Sequence, residues 1–262
     1  MALAYLSGPA MSAALLLVIV RGSVCPVTVR WNVSSWRRLF AGSRYFALQQ
    51  LLFAGSTQAE ALMLPRLIGM HQFGIFTAGA MPANRLIAIP DGLAAATYPT
   101  IVSACVHGPS GGAALVRRFA LLGVLGGSLI ALAGMACAEP VGRLLLPGHS
   151  DLFSTVVQIT IWSLPLTALE LVMGYSLNAC GKDATQARLA VPSAAASLLC
   201  SVALVSWFGL IGACWSMVLR PAVRGGFLVP AVLRTFRSSP GRGSSVAESS
   251  TSLPIAELRK AG

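Results

Sequence analysis

Apolar stretches of about twenty residues recur along the whole chain, and this recurrence constrains the fold more than any other feature of the sequence. A helix needs about 20 mostly apolar residues to cross the hydrocarbon core of a bilayer. Seven stretches meet that requirement, at 3–20, 45–69, 73–106, 119–138, 152–178, 186–207 and 209–230. The sequence therefore predicts an all-α fold, a polytopic membrane helical bundle of about seven transmembrane helices.

The charged residues are too few to cover a water-soluble surface. Of the 262 residues, 10% are charged and 55% are hydrophobic. About a quarter of the residues in a soluble domain are charged. This composition excludes a soluble enzyme, and its high apolar fraction argues against a disordered chain.

The net charge of +11 comes from basic residues that cluster between the apolar stretches. An excess of Lys and Arg marks the cytoplasmic loops of a membrane protein, and there is no basic face with interleaved aromatic residues to suggest a nucleic acid partner. Segments 21–44, 107–118 and 179–188 are basic, whereas 69–72 and 139–151 are not. The C-terminal end carries Arg220, Arg224, Arg234 and Arg237. The alternation predicts a multi-pass membrane protein with its N-terminus outside and its C-terminus in the cytoplasm.

The same features divide the chain into four segments. We predict an isolated first transmembrane helix at 1–20, a basic cytoplasmic linker at 21–44, a six-helix bundle at 45–232 and a cytoplasmic tail at 233–262. The tail is rich in Arg, Ser, Gly and Pro and has little apolar surface to bury, so we expect it to be disordered.

Proline and glycine predict the local geometry of two spans. The stretch 73–106 is too long for one straight crossing and contains Pro82, Pro90 and Pro99. Because proline lacks a backbone donor and kinks a helix, we expect a broken element there. Gly123 and Gly127 form a G-x-x-x-G pair that predicts close helix packing. An uncharged hairpin is expected at Phe208.

Polar side chains inside the apolar stretches are the candidate functional residues. An ionised group at membrane depth costs about 2.5–3.5 kcal/mol, so it needs a partner or a function. In a helix over 45–69, Gln49, Phe53, Ser56 and Glu60 fall near one face. We predict a substrate cavity lined by Gln49, Ser56, Glu60, Asn84, Arg85, Asp91 and Glu170.

Two interpretations of these side chains stay open. Arg85 is a permanently charged, forked group suited to a phosphate or pyrophosphate, and Glu60 or Glu170 could carry a proton or a cation. Alternatively, the charges pair for structure alone, for example Arg85 with Glu60 or Asp91.

Neither a metal centre nor a catalytic group emerges from the remaining residues. The three histidines stand singly in loops without ligand spacing, at His71, His107 and His149. The cysteines show no C-x-x-C spacing and are interpreted as small buried hydrophobic residues; they are Cys25, Cys105, Cys137, Cys180, Cys200 and Cys214. No nucleophile, base and orienting group converge, so we predict no enzyme activity and no cofactor.

Several short segments resemble a known family of exporters. They are WRRLFAGSRYF at 36–46, FGIFTAG at 73–79, IPDGLAAATYP at 89–99, LLLPG at 144–148 and YSLNACGK at 175–182. Together they resemble the second half of the O-antigen flippases, the polysaccharide-biosynthesis branch of the multidrug/oligosaccharidyl-lipid/polysaccharide exporter superfamily. The resemblance covers residues 1 to about 232.

The resemblance implies two six-helix bundles around a central cavity that work by alternating access. The implied cargo is an oligosaccharide linked to undecaprenyl pyrophosphate. The resemblance implies that it is carried from the inner to the outer leaflet of the membrane lipid, in the bacterial inner membrane. The spans of this chain would correspond to the sixth through twelfth of such an exporter. We therefore expect a truncated or half-size transporter that pairs with a second half or with another copy.

Two other functions remain open on the sequence. One is a cation-coupled multidrug-type exporter of the same superfamily, for which Glu60 or Glu170 would be essential. The other is a non-transporting scaffold or remnant of a polysaccharide synthesis complex, in which the buried charges would have no effect on transport.

Overall fold

The computed structural model describes residues 33–107 and 109–237. The predicted span at 3–20, most of the linker and most of the tail lie outside these residues. Within them the chain forms seven α-helices and no strand, which confirms the all-α bundle. The helices are α1 (Val33–Ile68), α2 (Met70–Leu86), α3 (Ala88–His107), α4 (Pro109–Leu145), α5 (Ser150–Thr160), α6 (Ser163–Ala179) and α7 (Asp183–Arg237).

The chain divides into two compact units, Met1–Arg44 and Tyr45–Gly262. The structure describes the first unit only from residue 33, in the opening turns of α1. There the rings of Trp36 and Phe40 lie 6.1 Å apart. All of the packing described below lies within the second unit.

Four helical stretches are long and apolar enough to cross a bilayer, which indicates a membrane protein. They are Met70–Cys105, Gly112–Leu145, Ser150–Ala179 and Asp183–Phe236. The predicted number of seven spans is not confirmed. In the described part of the chain α1 is not among the four, because Gln49, Gln50, Gln58 and Glu60 interrupt its apolar residues.

The expected break within 73–106 is confirmed at Ile87, which separates α2 from α3. Pro90 has no N–H to donate to the carbonyl of Leu86, so the regular helical ladder cannot continue past that point. The Ile87 N–H still bonds the Ala83 carbonyl at 3.2 Å, and the Asp91 N–H bonds the Ile87 carbonyl at 3.1 Å. The chain therefore bends without leaving backbone groups on both sides unpaired.

Helix α7 is two helices joined at Gly209. A straight helix of this length would measure about 80 Å at 1.5 Å per residue, far more than the hydrocarbon core. Gly209 has φ 57° and ψ −127°, a backbone conformation that side chains disfavour. Beyond it the chain turns back, so that Ala213 shares a buried cluster with Val205. The hairpin expected at Phe208 is therefore present one residue later.

Helix α6 is the centre of the bundle and packs against α3, α4 and α7. In the stretch Ser150–Ala179, 56% of the most apolar window is buried, against 17–22% in the other three. The largest buried cluster joins these four helices and contains Ala94, Ile101, Val116, Ala120, Val172, Met173, Leu177, Leu228 and Val232. Side chains of α6 are therefore placed where several helices can reach them.

Glycines of α4 let this helix approach α6 closely. A Cβ atom at Gly127 would lie 2.8 Å from the Cα atom of Pro165, and one at Gly123 would lie 3.3 Å from the Cβ atom of Ala168. The close packing predicted for Gly123 and Gly127 is confirmed. Gly126, which immediately precedes Gly127, is exposed and has nothing within 4 Å of its Cβ position.

We predict that Gly127→Ala lowers the free energy of unfolding by about 1–3 kcal/mol, because the added methyl group meets backbone atoms that cannot move aside. The thermal unfolding midpoint of the purified chain in detergent measures this loss. The matched variant Gly126→Ala adds the same methyl group where space is open, and it should unfold at the original temperature or slightly above. Equal losses in both variants would contradict the packing argument.

Candidate functional site

A cavity of about 390 Å³ opens in the second unit between α1, α6 and both halves of α7. The residues that line the cavity recur at helical spacing. From α1 come residues three and four apart, and α6 contributes Glu170, Gly174 and Asn178 at every fourth position. The polar lining consists of Gln49, Gln50, Asp91, Glu170, Tyr175, Asn178, Gln186, Ser193 and Arg224, and the aromatic lining adds Phe46, Phe53 and Phe227.

An ion pair between Arg224 and Glu170 lies in the cavity wall. The Nη1 atom of Arg224 is 2.9 Å from Oε1 of Glu170, and their side chains are only 12% and 16% exposed. The guanidinium also lies over the ring of Phe53, 4.9 Å from its centroid, where the negative face of the ring favours a cation. The pair therefore holds the guanidinium of Arg224 and the carboxylate of Glu170 side by side at the open volume.

A second ion pair lies one helical turn away on α7, where Arg220 pairs with Glu60 of α1. Glu60 is buried and faces a much smaller pocket between α1 and the first half of α7. The Nε atom of Arg220 has no hydrogen-bond partner. Because this pair lies outside the cavity, its geometry suits the attachment of α1 to α7.

Two further polar groups shape the opposite wall. The hydroxyl of Tyr175 donates to Oδ1 of Asp91 at 3.2 Å, which links α6 to α3. The ring of Tyr98 packs edge-on against Tyr175, with centroids 6.0 Å apart. Gln186 is 5% exposed, and its Oε1 atom accepts no hydrogen bond. That carbonyl is an unused acceptor at the cavity.

The structure brings together three of the seven residues predicted to line a cavity. Gln49, Asp91 and Glu170 line it. Glu60 lies at the separate ion pair. The hydroxyl of Ser56 bonds the backbone carbonyl of its own helix at Phe53.

The remaining two predicted residues, Asn84 and Arg85, are exposed and are not among the residues that line the cavity. Neither of the suggested pairings of Arg85 with Glu60 or Asp91 is present. Instead, Glu60 pairs with Arg220 and Asp91 accepts from Tyr175.

The sequence does not single out the cation of the cavity, because Arg220 and Arg224 also fit the charge pattern of a cytoplasmic end. Both fall inside the predicted span 209–230 and are four residues apart, so they share one helix face. Two arginines at that spacing within a span were the available signal. No comparable pattern marks Asn178, Gln186 or Ser193.

Comparisons with known proteins place no constraint on this site. No family model matches the chain, and no curated protein and no solved structure is significantly similar to it. The function is therefore argued from the residues of the cavity.

We predict that Glu60→Gln lowers the free energy of unfolding by about 3–5 kcal/mol, because it leaves the Arg220 guanidinium buried without its counter-charge. Thermal unfolding in detergent measures the loss. The control is Glu139→Gln, which breaks an ion pair with Arg143 whose side chains are 61% and 71% exposed. That change should cost about 1 kcal/mol or less.

A second variant separates the pair from its individual members. Replacing Glu60 and Arg220 together by Leu and Met removes both buried charges, so most of the lost stability should return. A double variant as unstable as Glu60→Gln would contradict the assignment of the loss to an unpaired arginine.

Proposed function

We propose that this chain is a flippase-like membrane transporter, or half of one, that moves lipid-linked oligosaccharides for surface polysaccharide biosynthesis. The observation that supports the proposal most strongly is the buried guanidinium of Arg224 beside a polar and aromatic cavity. Within an apolar helical bundle, such a group attracts an anionic head group, while a lipid tail can remain in the bilayer.

Arg224 has the chemistry to bind a pyrophosphate. Its planar fork offers two parallel N–H donors, which match phosphate oxygens better than the point charge of lysine does. In the described structure this fork is partly occupied by the carboxylate of Glu170. A pyrophosphate would therefore compete with the Glu170 carboxylate for the same cation, and its binding would leave that carboxylate without its partner.

The rest of the lining suits a saccharide. Sugar hydroxyls both donate and accept, and the amides of Gln49, Gln50 and Asn178 provide both functions. Asp91 and the free carbonyl of Gln186 add acceptors. The volume lies within the range of about 300–1,000 Å³ that is usual for small-molecule sites.

Helix α1 is the element whose displacement would open this cavity. Its apolar side chains Leu48, Leu51 and Leu62 are exposed, and its links to the other helices include the Glu60–Arg220 pair, the Phe53–Arg224 contact and the packing of Leu64. Exposed apolar surface on a membrane helix faces lipid or a partner helix. A second half or another copy would meet the bundle here.

A cation-coupled exporter has less support from the same contacts. It would need a carboxylate that is free to take up a proton or a cation. Glu60 and Glu170 each hold an arginine instead. Asp91, the other carboxylate of the cavity, accepts a hydrogen bond from Tyr175. The lipid-linked saccharide is therefore the better match, with Arg224 as the cation of a lining that also contains the carboxylates of Asp91 and Glu170.

The proposal predicts opposite effects for the two members of one ion pair. Arg224→Gln should weaken binding of the pyrophosphate by about tenfold or more, the worth of a lost charge-assisted hydrogen bond. Glu170→Gln should strengthen binding, because it removes the competing anion. The measurement is equilibrium binding of labelled undecaprenyl pyrophosphate carrying one N-acetylglucosamine to the purified chain in detergent.

The matched control is Arg85→Gln, which removes an arginine that does not line the cavity and should leave binding unchanged. Thermal unfolding of each variant is recorded alongside, so that a loss of folded protein is recognised. If the ion pair is purely structural, Arg224→Gln and Glu170→Gln should lose stability in parallel, and the affinity of the folded protein should not change. That result would overturn the proposal.

A further inference from the structure

Two cysteines from distant parts of the chain meet at one end of the bundle. The Sγ atoms of Cys105, near the end of α3, and Cys180, directly after α6, lie 2.6 Å apart. Both are free thiols and both are partly buried. They are separated by 75 positions in the sequence, so no spacing pattern could have indicated the pair.

The backbone holds Cys180 at this position through a tight helix ending. Gly181 adopts φ 68°, a left-handed conformation that glycine accepts readily. The N–H of Lys182 bonds the carbonyl of Leu177, and the N–H of Gly181 bonds that of Asn178, both at 2.9 Å. This is the Schellman arrangement, and it fixes Cys180 as the last half-helical residue of α6.

Packing against the core fixes the position of Cys105. Its side chain packs against the largest buried cluster, which joins α3, α4, α6 and α7. Ala179, the residue before Cys180, packs against the same cluster. Both thiols are therefore attached to one rigid packing unit, and neither needs a helix to move in order to reach the other.

We propose that Cys105 and Cys180 form an oxidative modification site that reacts with a low-molecular-weight disulfide and closes into an intramolecular disulfide. In the first step one cysteine thiolate attacks the external disulfide, forms a mixed disulfide and releases one thiol. In the second step the other cysteine attacks the protein sulfur of that mixed disulfide, and a second external thiol leaves. The two cysteines are oxidised by two electrons, and the external disulfide is reduced to two thiols.

Burial keeps the two cysteines in the reduced thiol form until they meet an oxidising disulfide. Loss of hydration, together with the contact with Cys105, raises the pKa of Cys180 to about 12, and the nearby charge of Lys182 only partly opposes this. The thiolate is the reactive form, so closure is slow near neutral pH and accelerates as the pH rises. The sequence predicts a cytoplasmic location for this end, where glutathione keeps thiols reduced.

The bond would connect the two helices that form one wall of the cavity. The hydrogen bond from Tyr175 to Asp91 joins the same two helices, α6 and α3. A covalent link at the end of both helices limits how far Asp91 and Tyr175 can separate. The modification would thus restrict movement of this wall, whatever ligand the cavity takes.

The test is disulfide mapping in the intact chain. The purified protein in detergent is incubated with oxidised glutathione at about pH 8.5, where thiolate is more abundant. It is then unfolded, alkylated with N-ethylmaleimide and analysed by peptide mass spectrometry. We expect one cross-linked pair of peptides containing Cys105 and Cys180, lighter by two hydrogen atoms than the separate peptides, and its disappearance after dithiothreitol.

Matched variants make the result specific. Cys137→Ser and Cys200→Ser alter exposed cysteines and should leave the cross-link intact, whereas Cys105→Ser should abolish it and leave Cys180 alkylated or bound to one glutathione. If Cys105→Ser fails to fold, mapping of the unaltered chain decides alone. Alkylation of both Cys105 and Cys180, or glutathione on both, in the treated unaltered chain would overturn the proposal.

Discussion

Two arginines on one face of α7 connect this helix to α1 and to α6 through ion pairs. A guanidinium cannot lose its proton under ordinary conditions, so in an apolar interior it needs an anion within reach. Arg220 finds Glu60 on α1, and Arg224 finds Glu170 on α6. Because the arginines are one turn apart, the two partner carboxylates lie beside the same stretch of α7.

The cavity follows from this arrangement and from small residues around it. Where Arg224 meets Glu170, the neighbouring positions carry Gly174, Ala190 and Ser193, whose side chains do not fill the space between α6 and the first half of α7. The turn at Gly209 brings the second half of α7, with Arg224 and Phe227, back alongside the first half. A turn far from the cavity thus supplies one of its walls.

Features set by neighbouring residues were predictable, and features set by distant partners were not. Pro90 and Gly127 act through their own backbone geometry, so the break at Ile87 and the close approach of α4 could be inferred locally. The partner of Glu60 could not, since Arg220 is distant in the chain and nothing in the sequence around Glu60 indicates which arginine it meets. Arg85 shows the limit, because its place between prolines of an apolar stretch predicts a cavity-lining side chain, whereas in the structure it is exposed and does not line the cavity.

The two ion pairs are chemically alike but differ in what surrounds them. A buried ion pair generally stabilises a fold no more than apolar residues of similar volume, so stability alone does not require either pair. Glu60 and Arg220 border almost no free space, and an apolar pair could attach α1 equally well. Arg224 borders about 390 Å³ lined by amides, hydroxyls and aromatic rings. Only there does a guanidinium provide what an apolar side chain cannot. It is a cation that an entering anion can bind in place of Glu170.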